Sequence, residues 1–211
     1  KMFQSNRAAD KMHESIKGII AENLSTLTFD DVNILYHKGD RICFENLAKE
    51  KTIVFLKISD LDRSMDKLAN LFYTQALQVL CNSADRDYPT HRLPIPVRFI
   101  LDDFAANVYI PDFDKIISVI RSREIYVSII LQSISQLEAL YGHEKSITIL
   151  NNCDNCLYLG GQDVETAKYM SVKANKSINT ILNMPLQNAW LFTRGVEPEI
   201  VKKFNVDALE L

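Results

Sequence analysis

Val97-Arg98-Phe99-Ile100-Leu101-Asp102-Asp103-Phe104-Ala105 is an apolar stretch of strand length that stops on two adjacent carboxylates. A buried strand with acids at its carboxyl end is how an open parallel sheet presents a magnesium-binding Asp and a neighbouring acid to a nucleoside triphosphate. The glycine-rich phosphate loop that would complete such a site is missing. None of the six glycines (Gly18, Gly39, Gly142, Gly160, Gly161, Gly195) stands in a G-x-x-x-x-G-K-[ST] pattern.

Outward from that stretch, four more apolar runs of strand length recur: Thr52 to Ile58, Val127 to Leu131, Cys156 to Leu159 and Ala189 to Thr193. Segments of helical character lie between them. Met65, Leu68, Ala69, Phe72, Ala76, Leu77 and Leu80 form one stripe. Further helices are expected over Pro111 to Glu124, Ser135 to Tyr141 and Glu165 to Lys173. Alternation of this kind, with connections too long for hairpins, predicts an α/β fold with a mostly parallel sheet and helices on both faces. The loop Cys81 to Pro96, with Pro89, Pro94 and Pro96, reads as irregular. The first fifty residues read as a separate unit: a helix over Asn6 to Asn23, then short strands Asn33 to Tyr36 and Arg41 to Phe44 around a turn.

The chain has 211 residues, 47% hydrophobic and 24% charged, with a net charge of −3, the profile of an ordered globule. That balance gives no general reason to expect nucleic acid or an anionic membrane on the surface, so any DNA contact is local. No apolar stretch approaches the roughly 20 residues of a membrane span, and the reading is of a cytoplasmic chain. Of Cys43, Cys81, Cys153 and Cys156 only the last two form a C-x-x-C, and the four histidines are scattered, so the thiols read as free and mostly buried rather than as a zinc site.

Three successive strand ends carry polar residues suited to a phosphate site: Asp102-Asp103, Gln132-Ser133 and Gly160-Gly161-Gln162-Asp163. Asp102 is the candidate for holding Mg²⁺ through water, and Asp103 for polarising the attacking water. Gln132, both donor and acceptor, is the candidate for orienting that water and sensing the γ-phosphate. Arg121 is the candidate source of positive charge for the transition state, across a subunit boundary. Each has a plainer reading: an Asp pair as a helix N-cap, Gln132-Ser133 as the start of a loop, and Arg121 with Arg123 as a solvated helix end.

Taken in order, Phe99 to Ala105, Ile110-Pro111-Asp112-Phe113, Ile120-Arg121-Ser122-Arg123-Glu124-Ile125, Ile129 to Ser133, Gln136-Leu137 and Leu140-Tyr141-Gly142 resemble the TraG/TraD family of type IV secretion (conjugative) coupling proteins. So do Asn152-Cys153-Asp154, Leu157 to Gly161, Glu165-Thr166-Ala167 and, upstream, Ile58-Ser59-Asp60, which extends the resemblance over about Thr52 to Gly195. The family consists of hexameric, RecA-like ATPases anchored at the cytoplasmic face of the bacterial membrane. They hand relaxase-bound DNA, single- or double-stranded, or protein substrates to a secretion channel.

The resemblance implies a partial RecA-like motor domain over residues 51–211, joined by 1–50. Asp102 and Asp103 fall at its Walker B positions, Arg121 at its trans-acting arginine finger and Gln132 at its sensor. It also implies that the Walker A loop, an all-helical insertion and the membrane anchor lie upstream of residue 1. ATP and Mg²⁺ would then bind the full-length parent, with none held tightly by this chain and little activity from it alone. Homo-oligomers, relaxosome and channel proteins are the implied partners, with strand pairing or swapping expected of the piece in isolation. The family places Glu where this chain has Asp103, about 1.5 Å shorter in reach. A catalytically inert α/β module that recognises relaxosome or secretion substrates is the rival reading.

Overall fold

The computed structural model describes residues 12–19, 21–22, 42–59 and 63–205. Residues 12–19 and 21–22 are helical, as the amphipathic pattern predicts. The expected strand 33–36 lies outside the described residues, and 42–44 is not a strand, since Phe44–Ala48 forms a 3₁₀ turn.

The first long element, α1 (Asp66–Asp87), buries Ala69, Ala76, Leu77, Leu80, Ser83 and Ala84, which recur at helical spacing on one face. It therefore runs seven residues past the apolar stripe, into the segment expected to be irregular. Small side chains continue the buried face there, and Ser83 Oγ donates to Asp87 Oδ2 at 2.7 Å. Tyr88 turns to extended backbone before Pro89, whose ring excludes the helical conformation from its predecessor.

Strand β1 (Val97–Leu101) pairs in parallel with β2 (Ile125–Ile129), Val97 facing Ile125 and Leu101 facing Ile129. The crossover between them contains α2 (Phe104–Asn107), α3 (Phe113–Val119) and a 3₁₀ turn at Ile120–Arg123. The expected single helix from Pro111 to Glu124 is thus two pieces, ended by Glu124 in the left-handed region at φ 64°. After β2 come α4 (Ile134–Tyr141) and α5 (His143–Asn151), turned by Gly142 at φ 80°. Strand β3 (Asn155–Tyr158), α6 (Val164–Ala174), α7 (Ile178–Leu182), β4 (Asn188–Thr193) and β5 (Glu199–Lys202) complete the order.

The expected α/β architecture, a mostly parallel RecA-like sheet covered on both faces, does not form. The described residues are 51% helix and 14% strand, and their strands divide into a two-stranded parallel sheet and a three-stranded antiparallel one, β3-β4-β5. Three physical causes account for the difference. Residues 52–58 have strand composition but pair with no strand among the described residues, and Ile53 and Phe55 stand 79% and 91% exposed. The periodicity of β3 and β4 is the same for either direction of pairing. Strand β5 is short and follows β4 closely, an antiparallel return where only long connections were anticipated.

Two cores result. Phe104, Phe113, Ile110, Ile125, Leu80 and Leu137 centre the one beneath β1 and β2, and Tyr158, Met170, Ile181, Trp190 and Phe192 centre the other. Leu150 packs against both. Full burial of an aromatic or branched aliphatic side chain contributes roughly 1.5–3 kcal/mol, so the first core is what fixes the end of β1 in place.

Candidate functional site

Leu101, 3% exposed, anchors β1 in the first core, and the chain then emerges with both Asp102 and Asp103 exposed. The parallel ladder continues past the strands: Ile130 N–H donates to Leu101 O at 2.9 Å and Phe104 N–H to Ile130 O at 3.1 Å. This sets the two aspartates beside the segment leading to Gln132. Asp103 occupies the left-handed region at φ 45°, ψ 41°, a conformation Asp tolerates better than most residues, and its N–H donates to Asp102 Oδ1 at 3.1 Å.

Asp103 stands at the N-cap of α2, yet its side chain caps no helix N–H. Its Oδ1 instead accepts from Gln132 Nε2 at 3.0 Å, and Gln132 Oε1 accepts from Gln136 Nε2 at 3.2 Å. The plain reading of the pair as a capping device thus fails for Asp103. Gln132 is in turn positioned by Ser133, whose Oγ caps α4 by accepting from Gln136 N–H at 3.2 Å. Behind it, Ile134 N–H donates to Thr166 Oγ1 at 2.9 Å, and Thr166 Oγ1 donates to Asp163 Oδ2 at 2.6 Å. Asp163 also caps α6 through Thr166 N–H and accepts from Ser135 Oγ, bonds that hold its carboxyl below the usual carboxylate range.

A cleft of about 300 Å³ opens at this end of β1, and its lining includes Asp102, Asp103, Leu56, Lys57 and Ile58. Exposed carboxylates at a cleft fit Mg²⁺, which keeps several waters and takes one or two carboxylates together with substrate phosphates. Among the described residues no group of three or more metal-ligating side chains forms an all-protein cage.

Arg121 is not brought to this site. It projects from the 3₁₀ turn before β2, so the length of that five-residue strand, about 3.3 Å per residue, separates it from the Gln132 end. Its Nη1 donates to Asp154 Oδ2 at 2.6 Å while Arg194 Nη1 donates to Asp154 Oδ1 at 3.0 Å. The Arg194 hydrogen bond above all, aided by the charges of both guanidiniums, holds the Asp154 carboxyl below its ordinary range. Arg123 is structural: Nε and Nη2 meet both oxygens of Asp85 at 3.0 and 2.8 Å and tie the turn to α1.

Sequence reasoning missed Gln136, Asp154 and Arg194 as partners. Gln136 was within reach, four residues after Gln132 across a Ser cap. Arg194 comes from the end of β4, and no local signal connects it to Arg121.

Residues 96–177 match the family model described as the TraM recognition site of TraD and TraG. The matched segment is under half of the chain. That segment contains all four candidate residues and both strands of the parallel pair. The fold is similar to the bacterial conjugative coupling protein TrwBdeltaN70 in its unbound monoclinic form (TM-score 0.52, 19% identity, 65% of this chain and 37% of that one). It is also similar to the trigonal form of that protein in complex with sulphate (TM-score 0.56, 18% identity, 66% and 37%). A third is the plasmid coupling protein TrwB with a non-hydrolysable ATP analogue (TM-score 0.52, 21% identity, 65% and 37%). At these identities the likeness is one of fold, and the match spans 37% of the length of those structures. No curated protein matches it at a significant level. No described helix is long and apolar enough to cross a membrane.

Proposed function

We propose that this chain serves a conjugative coupling protein and carries the acid and glutamine side of the site at which the full-length protein hydrolyses ATP. The observation that carries the reading is the 3.0 Å contact between Gln132 and Asp103 at the carboxyl end of the parallel pair, where Asp103 caps nothing. Asp102 would hold Mg²⁺ through water, and the ion would neutralise charge on the β- and γ-phosphates. Asp103 would take up the proton side of the attacking water, with Gln132 fixing the water's orientation through the face not bound to Asp103. Arg121, a strand's length away, would reach the nucleotide of a neighbouring copy. Similarity to the TrwB complex with an ATP analogue supports the nucleotide class, and the matched family supports conjugative transfer.

The test is single-turnover ATP hydrolysis by the full-length protein containing this chain. Asp102→Ala and Gln132→Ala are each expected to lower the rate by about 10²-fold or more, the scale for losing a positioned polar group. Wild-type rates in both variants would overturn the proposal.

A second reading, a module that recognises an accessory protein of the relaxosome, is favoured by the family model's description as a recognition site for TraM. Retained binding of such a protein by the chain carrying both Asp102→Ala and Gln132→Ala separates recognition from hydrolysis; loss of that binding argues against an independent recognition surface.

A further inference from the structure

α2 is a single turn, Phe104–Asn107, and a helix of that length does not hold itself together in water. It also lacks the usual help at its start, because the Asp103 side chain caps no N–H and is turned to Gln132 instead. Its position therefore depends on tertiary ties. At the start of the turn Phe104 supplies them, buried in the first core and donating its N–H to Ile130 O at 3.1 Å. At the far end, two ties come from the start of α1.

Arg63 opens the 3₁₀ turn Arg63–Met65 that leads into α1, and its Nη2 donates to Ala106 O. That carbonyl is one of the C-terminal acceptors that a helix leaves unsatisfied, and a cationic donor suits it. Arg63 is itself steadied by Asp66, whose Oδ2 lies 3.2 Å from Arg63 Nε. One turn further along α1, Asn70 Oδ1 accepts from Tyr109 N–H at 2.9 Å, just past the end of α2. A backbone N–H can meet only the oxygen of that amide, so the bond fixes the orientation of Asn70.

What these ties hold is the conformation of Asp103. Its left-handed backbone, φ 45° and ψ 41°, is tolerated by Asp but not favoured over the extended and right-handed regions, and Ala106 N–H closes the turn on Asp103 O at 2.9 Å. Release of the far end of α2 would let that turn open and Asp103 return to an extended backbone, carrying its carboxylate away from Gln132. We propose that Asn70 and Arg63 are positioning residues for Asp103: acting on Tyr109 N–H and Ala106 O, they keep α2 closed and so hold the Asp103 carboxylate against Gln132. Positioning of the carboxylate follows from these bonds, whereas any effect on hydrolysis rests on the reading of Asp103 given above.

The purified chain is followed by NMR of the Gln132 side-chain amide, with Asp103→Ala marking where that resonance lies once the bond to Asp103 is gone. Asn70→Ala and Arg63→Met are each expected to move it towards that position and to speed exchange of the amide protons. Asn70→Asp keeps an acceptor for Tyr109 N–H and is expected to return the resonance to its wild-type place. Asp85→Asn is the control: it weakens the pair with Arg123 at the other end of α1, so it should lower the urea midpoint and leave the Gln132 amide where it was. In the full-length protein containing this chain, Asn70→Ala is expected to lower kcat for ATP about threefold to tenfold at unchanged KM, with recovery in Asn70→Asp. A Gln132 amide at its wild-type position in both Asn70→Ala and Arg63→Met overturns the proposal, as does an equal displacement in Asp85→Asn. A displaced amide with wild-type hydrolysis upholds the positioning and overturns the hydrolysis reading instead, so the two failures are separate results.

Discussion

Gln132 Nε2 donates to Asp103 Oδ1 across 3.0 Å, and that bond ties together the segments that leave the two parallel strands. It spans 29 residues of sequence, it is exposed, and it depends on Asp103 holding a left-handed backbone conformation. A side chain at a helix N-cap that neglects its cap for a cross-strand glutamine is arranged for something other than helix stability.

Asp103→Gly separates the two roles. Glycine adopts φ 45° without steric cost, so the variant is expected to keep the stability of the wild type or to gain up to about 1 kcal/mol in urea unfolding. Asp103→Ala, which cannot relax there, should lose a similar amount. Both delete the carboxylate, and ATP hydrolysis by the full-length protein should fall alike in the two; hydrolysis that tracks stability instead would contradict the assignment.

Phe104 and Phe113 test what holds the site up. Their ring centroids are 5.0 Å apart, both side chains are fully buried, and Phe104 directly follows the aspartate pair. Phe113→Ala is expected to cost about 3–5 kcal/mol, read as a lower urea midpoint at unchanged slope, with the resonances of Asp102 and Asp103 broadened in the surviving folded fraction. A cost below about 1 kcal/mol would mean that this core does not fix the end of β1.

The sequence disclosed local features well and sheet assembly poorly. Val97 to Leu101 was readable because an apolar strand ended so sharply, and α4 and α6 were readable from their periodicity, within one residue of the observed ends. The single, mostly parallel sheet expected from such signals does not form, and the two small sheets that do form were not recoverable from them. Thr52 to Ile58 has every local mark of a strand, but a strand exists only with a partner, and composition says nothing about which neighbours are present. Asp103 and Gln132 come into contact because two parallel strands put their carboxyl ends together. Arg121 separated from them because it precedes β2 whereas Gln132 follows it, a distinction that simple proximity in sequence conceals.

Thr166→Val probes the connection behind Gln132. Thr166 is 7% exposed, and its Oγ1 is the acceptor for Ile134 N–H at the first residue of α4. Valine keeps the shape and removes the acceptor, leaving a buried N–H unpaired at an expected cost of about 1–3 kcal/mol. Hydrogen exchange at Ile134 should accelerate together with that of the Gln132 side-chain amide. Faster exchange at Ile134 alone would show that Gln132 is held independently of α6.

Asp163 supplies a pH dependence whose sign follows from its bonds. Hydrogen bonds from the Thr166 hydroxyl and N–H, and from Ser135, stabilise the ionised carboxylate in the folded chain, so its folded pKa lies below its unfolded one. A lowered carboxylate contributes stability that is fully present above the unfolded value, about 3.9, and is lost as pH falls through the folded value. Asp163→Ala is expected to cost about 0.5–2 kcal/mol at neutral pH, the range for losing an N-cap, and the gap between variant and wild type should narrow below pH of about 4. Asp163→Asn keeps a capping oxygen but no charge, so it should recover part of the loss at neutral pH while showing less of the acid dependence. Urea unfolding of the three proteins from neutral pH down to about pH 3 measures this directly. A gap that stays constant with pH would mean that Asp163 acts through packing and cap geometry, with its charge contributing nothing.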